Sequence, residues 1–502
     1  PAGHALLDLR LADCSLSGCE GGRAVGELLA GAGAAAVQEL DLGRNPELAA
    51  AGLAALAQAL PEASELRGVC LQGCRLAGSE GGHAAAALAR KAASLRALDL
   101  GKNSDFGPEG VMAMLRYLPS ECGLREVALP ACGLGWIEGA LATARLLQRL
   151  PGLEKLDVSR SSSGIGSASL LELARKLPDA SELKEVSLHA SGLGAAQGGE
   201  AVASLLRRAR ALGRLDLGSN SELGAEGLAA LALHFPDAAS LREVSLSRCG
   251  IAGPDGGRAV AELLRRASSV ERLSLLGNSG LGQTGLAALA KALQQRSGLK
   301  VLALGGCGLV GPESGEALAR ICQSAPHLER LDVRSNHDLG ARGLLALARG
   351  LISSSDLQPM RELGLADNSL EGAQSGGAVA AVVRQMPALE RLDLQGNQSL
   401  GSEGLAEMAR GLPDDCALRE VWLVSCSLAG SEGGQAIASL VQRARGLQKL
   451  HLGSNSGLWR DGLDELAWSL PAGHALTDIG LHCCGLSRAQ DIRPVAVLLR
   501  SP

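Results

Sequence analysis

The stretch LGRLDLGSN at residues 212–220, continued by SELGAEGLAALAL at residues 221–233, decides the fold. Its first apolar residues are spaced as in a strand that buries one face, at Leu212, Leu215 and Leu217. Its later ones recur at helical spacing, at Leu228, Leu231 and Leu233. A turn that contains Gly224 separates the two patterns. This stretch therefore predicts a short strand, a turn and a helix.

The same pattern recurs in seventeen copies, mostly 29 residues apart, and the copies alternate between two forms. One form ends in Cys seven times in nine, with Ser191 and Asn368 as exceptions, at Cys14, Cys74, Cys132, Cys249, Cys307, Cys426 and Cys484. The other form ends in Asn, with Ser161 as its exception, at Asn45, Asn103, Asn220, Asn278, Asn336, Asn397 and Asn455. The spacing is longer where residues 352–359 carry an insertion. Such a period is typical of a solenoid, in which every copy forms one coil.

The Asn and Cys positions have a structural role. An inward Asn can satisfy backbone groups of its own turn and of the adjacent coil, which Cys does only weakly. The alternating forms resemble the ribonuclease-inhibitor class of leucine-rich repeats, and the resemblance covers residues 6–499. It implies an α/β horseshoe of about 17 repeats of about 29 residues, with the parallel sheet on the concave face and the helices on the convex face.

Composition agrees with a repeat array. Apolar residues make up 46% of the 502 residues and aromatic residues 1%, so Leu, Ala and Val must form the core. We expect one solenoid over residues 1–502. Because PAGHAL at residues 1–6 recurs at residues 471–476 and both runs lead into a Cys-type strand, we also expect a segment of a longer chain, or ends covered by partners.

Charge and cysteine usage restrict the function. The net charge of −5 is spread along the chain, which argues against nucleic-acid binding, and no apolar run is long enough for a membrane span. Cysteines at one phase of alternate repeats lie about 10 Å apart, too far for a disulfide, so reduced thiols and an intracellular, cytoplasmic location are predicted. The chain begins at Pro1, which leaves a removed leader open.

Two motifs suggest ligands and have simpler explanations. Gly280, Gly282 and Gly285 satisfy the dinucleotide pattern G-x-G-x-x-G, but similar glycines recur in many repeats because the turn needs them. Cys483 and Cys484 stand beside His482, yet adjacent strand residues point to opposite faces and cannot easily share one metal ion. We therefore predict no catalytic residue, no cofactor and no metal.

The residues between the strand leucines face the hollow of the predicted arc. One column alternates in charge and predicts a ladder of ion pairs that fixes the register, with Val301 as its apolar member: Glu126, Lys155, Glu185, Arg214, Glu243, Arg272, Val301, Arg330, Glu362, Arg391, Glu420, Lys449 and Asp478. A second column places an acid on alternate strands, at Asp41, Asp99, Asp157, Asp216, Asp332 and Asp393. These acids either bind a basic partner or sit beside the arginines of the ladder.

The predicted partner site lies toward the end of the chain. Trp422 is the aromatic residue among the inferred concave strand positions, and interface energy concentrates in Trp, Tyr and Arg. The candidate binding residues are Trp422, Val424, His451, His482, Asp332 and Asp393. Trp459 and Trp468 lie nearby in chain order, in the following turn and helix, and either add to this surface or fill the end of the core.

The resemblance implies binding more than catalysis. The first hypothesis is a non-catalytic scaffold that grips a protein partner, alone or within a large assembly, through the concave sheet or the edges of the arc. One branch of the family consists of GTPase-activating proteins, but that role needs a distinctive exposed Arg near one end, and none stands out. A third hypothesis is a ligand-sensing segment of a larger receptor, which requires an ATPase module elsewhere.

Overall fold

The structure is a computed structural model. It describes residues 6–31, 36–61, 64–160, 164–178, 181–236, 240–293, 298–352, 360–414, 416–471 and 473–485. The chain divides into two compact units, unit 1 (Pro1–Cys249) and unit 2 (Gly250–Pro502). The exceptional Ser161 and nearly all of the predicted insertion, residues 353–359, lie outside the described residues.

In its described residues, unit 1 alternates short strands with helices. The strands are β1 (Asp8–Arg10), β2 (Glu39–Asp41), β3 (Gly68–Cys70), β4 (Ala97–Asp99), β5 (Glu126–Ala128), β6 (Lys155–Asp157), β7 (Glu185–Ser187), β8 (Arg214–Asp216) and β9 (Glu243–Ser245). The helices are α1 (Gly18–Ala30), α2 (Ala49–Ala59), α3 (Gly78–Lys91), α4 (Gly107–Tyr117), α5 (Trp136–Arg149), α6 (Gly166–Lys176), α7 (Ala195–Arg208) and α8 (Gly224–Leu233). Consecutive strands pair in parallel, and equivalent residues stand opposite each other.

Unit 2 repeats the arrangement. Its strands are β10 (Arg272–Ser274), β11 (Val301–Ala303), β12 (Arg330–Asp332), β13 (Glu362–Gly364), β14 (Arg391–Asp393), β15 (Glu420–Trp422), β16 (Lys449–His451) and β17 (Asp478–Gly480). Its helices are α9 (Gly253–Arg266), α10 (Gly282–Ala292), α11 (Gly311–Ser324), α12 (Gly340–Leu351), α13 (Gly372–Arg384), α14 (Gly401–Gly411), α15 (Gly430–Arg443) and α16 (Trp459–Ser469). These strands also pair in sequence order and in parallel. The chain is therefore a leucine-rich-repeat solenoid, and we number each repeat by its strand.

The core of each unit lies between the sheet and the helices. The central residue of each strand is buried in most repeats, as at Leu40 and Leu215, which are 2% and 1% exposed. The helices bury their apolar faces beside it, as at Leu228 and Leu231. The first and third residues of each strand project from the other side, which we call the open sheet face. The inward direction of the strand leucines is thus confirmed.

Each helix starts at a residue in the left-handed backbone conformation. The first residue of all sixteen helices in the described residues has a positive φ angle, and twelve of these residues are Gly. Glycine adopts this left-handed conformation without steric penalty. The other four are Ala49, Trp136, Ala195 and Trp459. Several helices end two or three residues before a proline, at Pro61, Pro119, Pro178, Pro236 and Pro413.

The Asn residues hold neighbouring coils together as expected. The Asn397 side chain is fully buried, and its Oδ1 accepts from the backbone N–H groups of Asn368 and Leu370 at 2.9 and 3.1 Å. Its Nδ2 donates to the carbonyls of Leu365 and Leu394 at 3.0 and 2.7 Å. One side chain therefore satisfies four backbone groups in two consecutive coils.

The buried Cys residues perform one part of this task. The Cys132 thiol donates to the Leu100 carbonyl at 3.0 Å, and the Cys426 thiol donates to the Leu394 carbonyl at 3.2 Å. Burial raises the pKa of both thiols to about 12. The Cys position is thus weaker than the Asn position because it supplies one strong contact where Asn supplies four.

Glycine also sets the distance between paired helices. A Cβ on Gly82 of α3 would lie 2.1 Å from the carbonyl oxygen of Gly110 of α4, and one on Gly376 of α13 would lie 1.9 Å from the carbonyl oxygen of Gly404 of α14. Neither position can hold a larger residue without moving a backbone. The close pairs are α1 with α2, α3 with α4, α7 with α8, α9 with α10, α11 with α12, α13 with α14 and α15 with α16.

Candidate functional site

The charged ladder exists on the open sheet face of both units. In unit 1, Arg214 lies 3.8 Å from Glu185 and 3.3 Å from Glu243. In unit 2, Glu362 lies between Arg330 and Arg391 at 3.3 and 2.8 Å. These side chains are between 30% and 57% exposed, so solvent weakens each pair to about 0.2–1 kcal/mol. Much of the charge on this face is therefore already neutralised.

The acids of the second column have a role that neither sequence hypothesis included. Each accepts the backbone N–H group two residues later, as at Asp99 to Gly101 (2.8 Å) and Asp216 to Gly218 (2.9 Å). The same contact is made by Asp41, Asp157, Asp332 and Asp393. These side chains cap the turn that follows the strand, which is a common use of Asp. Burial raises the pKa of Asp99 and Asp393 above the ordinary value.

Trp422 and His451 form a stacked aromatic pair on the open sheet face of unit 2. Strands β15 and β16 place them opposite each other, and their ring centroids are 3.8 Å apart at an interplanar angle of 22°. Glu420 accepts from the indole N–H at 3.1 Å and lies 3.2 Å from His451 Nε2. Its second oxygen lies 3.1 Å from Arg391. Glu420 therefore connects both rings to the charged ladder.

Asp393 adjoins this pair directly, whereas His482 lies one repeat further along the chain. Asp393 stands opposite Trp422 in the adjacent strand β14. His482 follows β17 and is exposed, and a Cβ on Gly453 would lie 1.9 Å from its ring. The His482 ring thus lies over a glycine and remains accessible. These four side chains form what we call the aromatic cluster: Asp393, Trp422, His451 and His482.

Two predicted binding residues do not project from the face. Val424 is 9% exposed, because β15 ends at Trp422 and the chain has already turned inward toward Cys426. Asp332 is 6% exposed, because its carboxylate accepts from the Arg334 backbone and lies 3.2 Å from the Arg334 side chain. The expectation that both face the hollow is corrected.

Two further tryptophans lie outside the core. Trp459 is 65% exposed and Trp468 is 85% exposed, so neither fills the core. Sequence reasoning overlooked Trp136, the first residue of α5, which is 70% exposed. The signal was available, because Trp136 and Trp459 both occupy the turn position where most repeats carry Gly.

The motifs that suggested ligands have structural explanations. Gly282 opens α10 with a φ angle of +58°, and a Cβ on Gly285 would lie 2.6 Å from the carbonyl oxygen of Gly253. Cys484 is buried and donates to Leu452, whereas Cys483 is exposed. Among the residues that the structure describes, no group of His, Cys, Asp and Glu is arranged to hold a metal, and no helix is long and apolar enough to span a membrane.

Sequence comparison points to the same repeat. A family model described as "Leucine Rich repeat" matches residues 91–115, 212–232, 324–348 and 385–409. The chain is 30% identical over 171 residues to the ribonuclease inhibitor of Mus musculus, covering 34% of this chain and 36% of that protein. It is 30% identical over 158 residues to the ribonuclease inhibitor of Sus scrofa, covering 31% and 33% respectively. The matches thus span about a third of each relative.

A shorter match and two structures complete the comparison. The Tonsoku-like protein of Bos taurus is 44% identical over 72 residues, which cover 14% of this chain and 5% of that protein. A chain from the Rad7 and Elc1 complex of yeast superposes with a TM-score of 0.40 at 15% identity, covering 79% of this chain and 78% of its own. The leucine-rich-repeat-containing protein LegL7 of Legionella pneumophila gives 0.40 at 15% identity, with 66% and 93% covered. These superpositions are too loose to bear on function.

Proposed function

Because the chain is a leucine-rich-repeat protein of the ribonuclease-inhibitor-like class, we propose that it is a non-catalytic scaffold that binds a protein partner on the open sheet face of unit 2. The observation that supports this proposal is the aromatic cluster. Trp422 stacks on His451, and Glu420 fixes both rings. A large rigid ring loses little conformational entropy on binding, which suits it to anchor an interface.

The surroundings of the cluster support a protein partner over a small molecule. The ladder neighbours Arg391 and Glu362 neutralise each other, so they offer hydrogen bonding at the rim of a contact without a strong net field. Asp393 and His482 add polar groups beside the rings. A central aromatic anchor with a polar rim is the usual anatomy of a protein interface.

The test is to identify proteins whose binding to the chain depends on Trp422. Three chains are immobilised: the parent chain of residues 1–502, its Trp422→Ala variant and a Trp468→Ala control. Proteins captured from an extract of the source cell are then quantified by mass spectrometry. We expect at least one protein whose capture falls tenfold or more with Trp422→Ala and is unchanged with Trp468→Ala. If every captured protein is retained equally by all three chains, the proposed site is wrong.

The buried thiols support the proposed intracellular location. In six repeats a Cys thiol donates to a carbonyl of the preceding coil, which is a use of the reduced form, at Cys74, Cys132, Cys249, Cys307, Cys426 and Cys484. Such thiols persist where the compartment is reducing. We propose a cytoplasmic location on this ground.

A further inference from the structure

Trp136 occupies a position that packing does not explain. It is the first residue of α5 and has a φ angle of +63°, a conformation that is unfavourable for a bulky side chain. On the neighbouring helix starts, a Cβ on Gly107 or Gly166 would meet nothing within 4 Å. Side chains at this turn therefore point into open space, and Trp136 is 70% exposed. The core gains little from the strained residue.

The surface around Trp136 is apolar at its centre. Ile137 follows directly and is 39% exposed, so two large apolar side chains are presented together. Both belong to unit 1 and lie on the edge where strand-to-helix turns enter the helices. A strained and exposed aromatic residue beside an exposed aliphatic one is typical of a surface maintained for contact.

The helix starts beside this centre carry charge of one sign. Glu80, Glu109 and Glu138 occupy the third position of the consecutive helices α3, α4 and α5, and all three are exposed. Among the described residues, none of these carboxylates forms an ion pair with a Lys or Arg. The first turns of α3 to α6 contain no basic residue. The edge is therefore apolar beside Trp136 and acidic along the row that leads to it.

We propose that Trp136, Ile137 and Glu138 form a docking surface for a protein segment that carries an Arg or Lys next to an apolar side chain. The basic group stacks on the exposed indole while its charge faces Glu138, and Glu109 extends the favourable field. The adjacent apolar side chain packs on Ile137. Arg is the better fit, because its planar guanidinium stacks on an aromatic face and also binds a carboxylate.

This docking surface is independent of the aromatic cluster, because it uses only residues of unit 1. The experiment therefore fails or succeeds separately from the capture experiment with Trp422→Ala. Random peptides displayed on phage are selected on the full chain and counter-selected on its Trp136→Gly variant. Peptides of the enriched sequences are then synthesised with a fluorescent label and titrated by anisotropy.

We expect the enriched peptides to carry Arg or Lys beside an apolar residue and to lose at least tenfold in affinity with Trp136→Gly. Glu138→Gln should weaken them severalfold and reduce the salt dependence of binding. Trp459→Gly is the matched control, because Trp459 has the same helix position, a φ angle of +41° and 65% exposure, but is followed by Arg460. That variant should leave peptide binding unchanged.

Stability distinguishes docking from a structural role. Trp136→Gly restores the residue found at most helix starts, so its melting temperature should equal or exceed that of the parent chain. A clearly lower melting temperature in a folded Trp136→Gly variant contradicts the proposal, because the side chain then has a structural role. So do enriched peptides without a basic residue, a selection that yields no peptide dependent on Trp136, and self-association abolished by Trp136→Gly, which assigns the surface to a second copy. Glu138→Gln keeps the test valid if the glycine variant fails to fold.

Discussion

Repeats 13 and 14 and repeats 5 and 6 share one plan, yet they differ at their helix contact. In repeats 13 and 14, Gly376 packs against the carbonyl oxygen of Gly404, so α13 and α14 pair closely. In repeats 5 and 6 the equivalent residues are Ala140 and Ser169, and α5 and α6 are packed less closely. The same two repeats also replace the glycine at the start of α5 with Trp136.

The open sheet face differs in the same direction. Glu362 of repeat 13 pairs with Arg391 of repeat 14, whereas Glu126 of repeat 5 forms no ion pair among the described residues. Each contact in a solenoid connects only neighbouring coils, so one pair of repeats can lose several without unfolding the rest. The difference shows that the repeat tolerates a looser helix contact and a missing ion pair. An exposed Trp at a helix start does not require that looser contact, because Trp459 has the same position in the close pair of α15 and α16.

The largest difference in stability between the two pairs of repeats should come from the Asn and Cys positions that follow the strands. Asn397→Ala removes four buried hydrogen bonds and leaves backbone groups unsatisfied, so we expect a loss of at least about 3 kcal/mol in the free energy of unfolding. Cys132→Ala, in repeat 5, removes one thiol contact and should lose about 1 kcal/mol. Urea denaturation followed by circular dichroism measures both. Equal losses would show that the two caps contribute alike.

The helix contact should give the next effect. Gly376→Ala forces a methyl group against the Gly404 carbonyl and should destabilise the chain by about 2 kcal/mol. The adjacent Gly377 is the control, because a Cβ there would meet only the flexible Glu407 side chain at 3.7 Å. Gly377→Ala should stabilise by about 0.5–1 kcal/mol through helix propensity. The same denaturation experiment decides, and a stabilising Gly376→Ala would refute the close contact.

The ladder should give the smallest effect. Glu362→Gln removes the charge between Arg330 and Arg391, and we expect a loss of about 0.5 kcal/mol because the pairs are partly exposed. Glu126→Gln should change nothing. Raising the salt concentration should erase the difference, since salt screens exposed pairs. A loss that persists in high salt would mean that Glu362 acts through packing and not through charge.

The repeating part of the molecule was predictable because the same choice is made many times. The repeated pattern predicted the seventeen strands and the sixteen helices of the described residues, because an error in one copy is corrected by the others. It also predicted the inward leucines, the Asn contacts and the charged ladder. Trp422 and His451 were placed on one face by register alone. Their stacking on each other and their contacts with Glu420 were not predicted, because spacing in the sequence does not specify side-chain rotamers.

The predictions that needed correction concern side chains whose direction the sequence pattern does not determine. The Asp column was read as facing a partner or the ladder, but Asp99 turns to the backbone N–H of Gly101, which spacing on the strand does not indicate. Val424 was assigned by extending the strand period past its true end. Hydrophobicity alone left Trp459 and Trp468 open between the surface and the core, and the structure exposes both. Trp136 was missed because its departure from glycine was not compared across repeats.

The buried thiols also allow local opening of the chain to be detected by their chemical reactivity. Burial holds the pKa of Cys132 and Cys249 in unit 1, and of Cys307 and Cys426 in unit 2, at about 12, so almost no reactive thiolate exists while these coils are closed. An alkylating reagent reaches each one only when its coil separates from the preceding carbonyl. The order in which these cysteines are alkylated therefore reports which coils open locally most often, without any added probe.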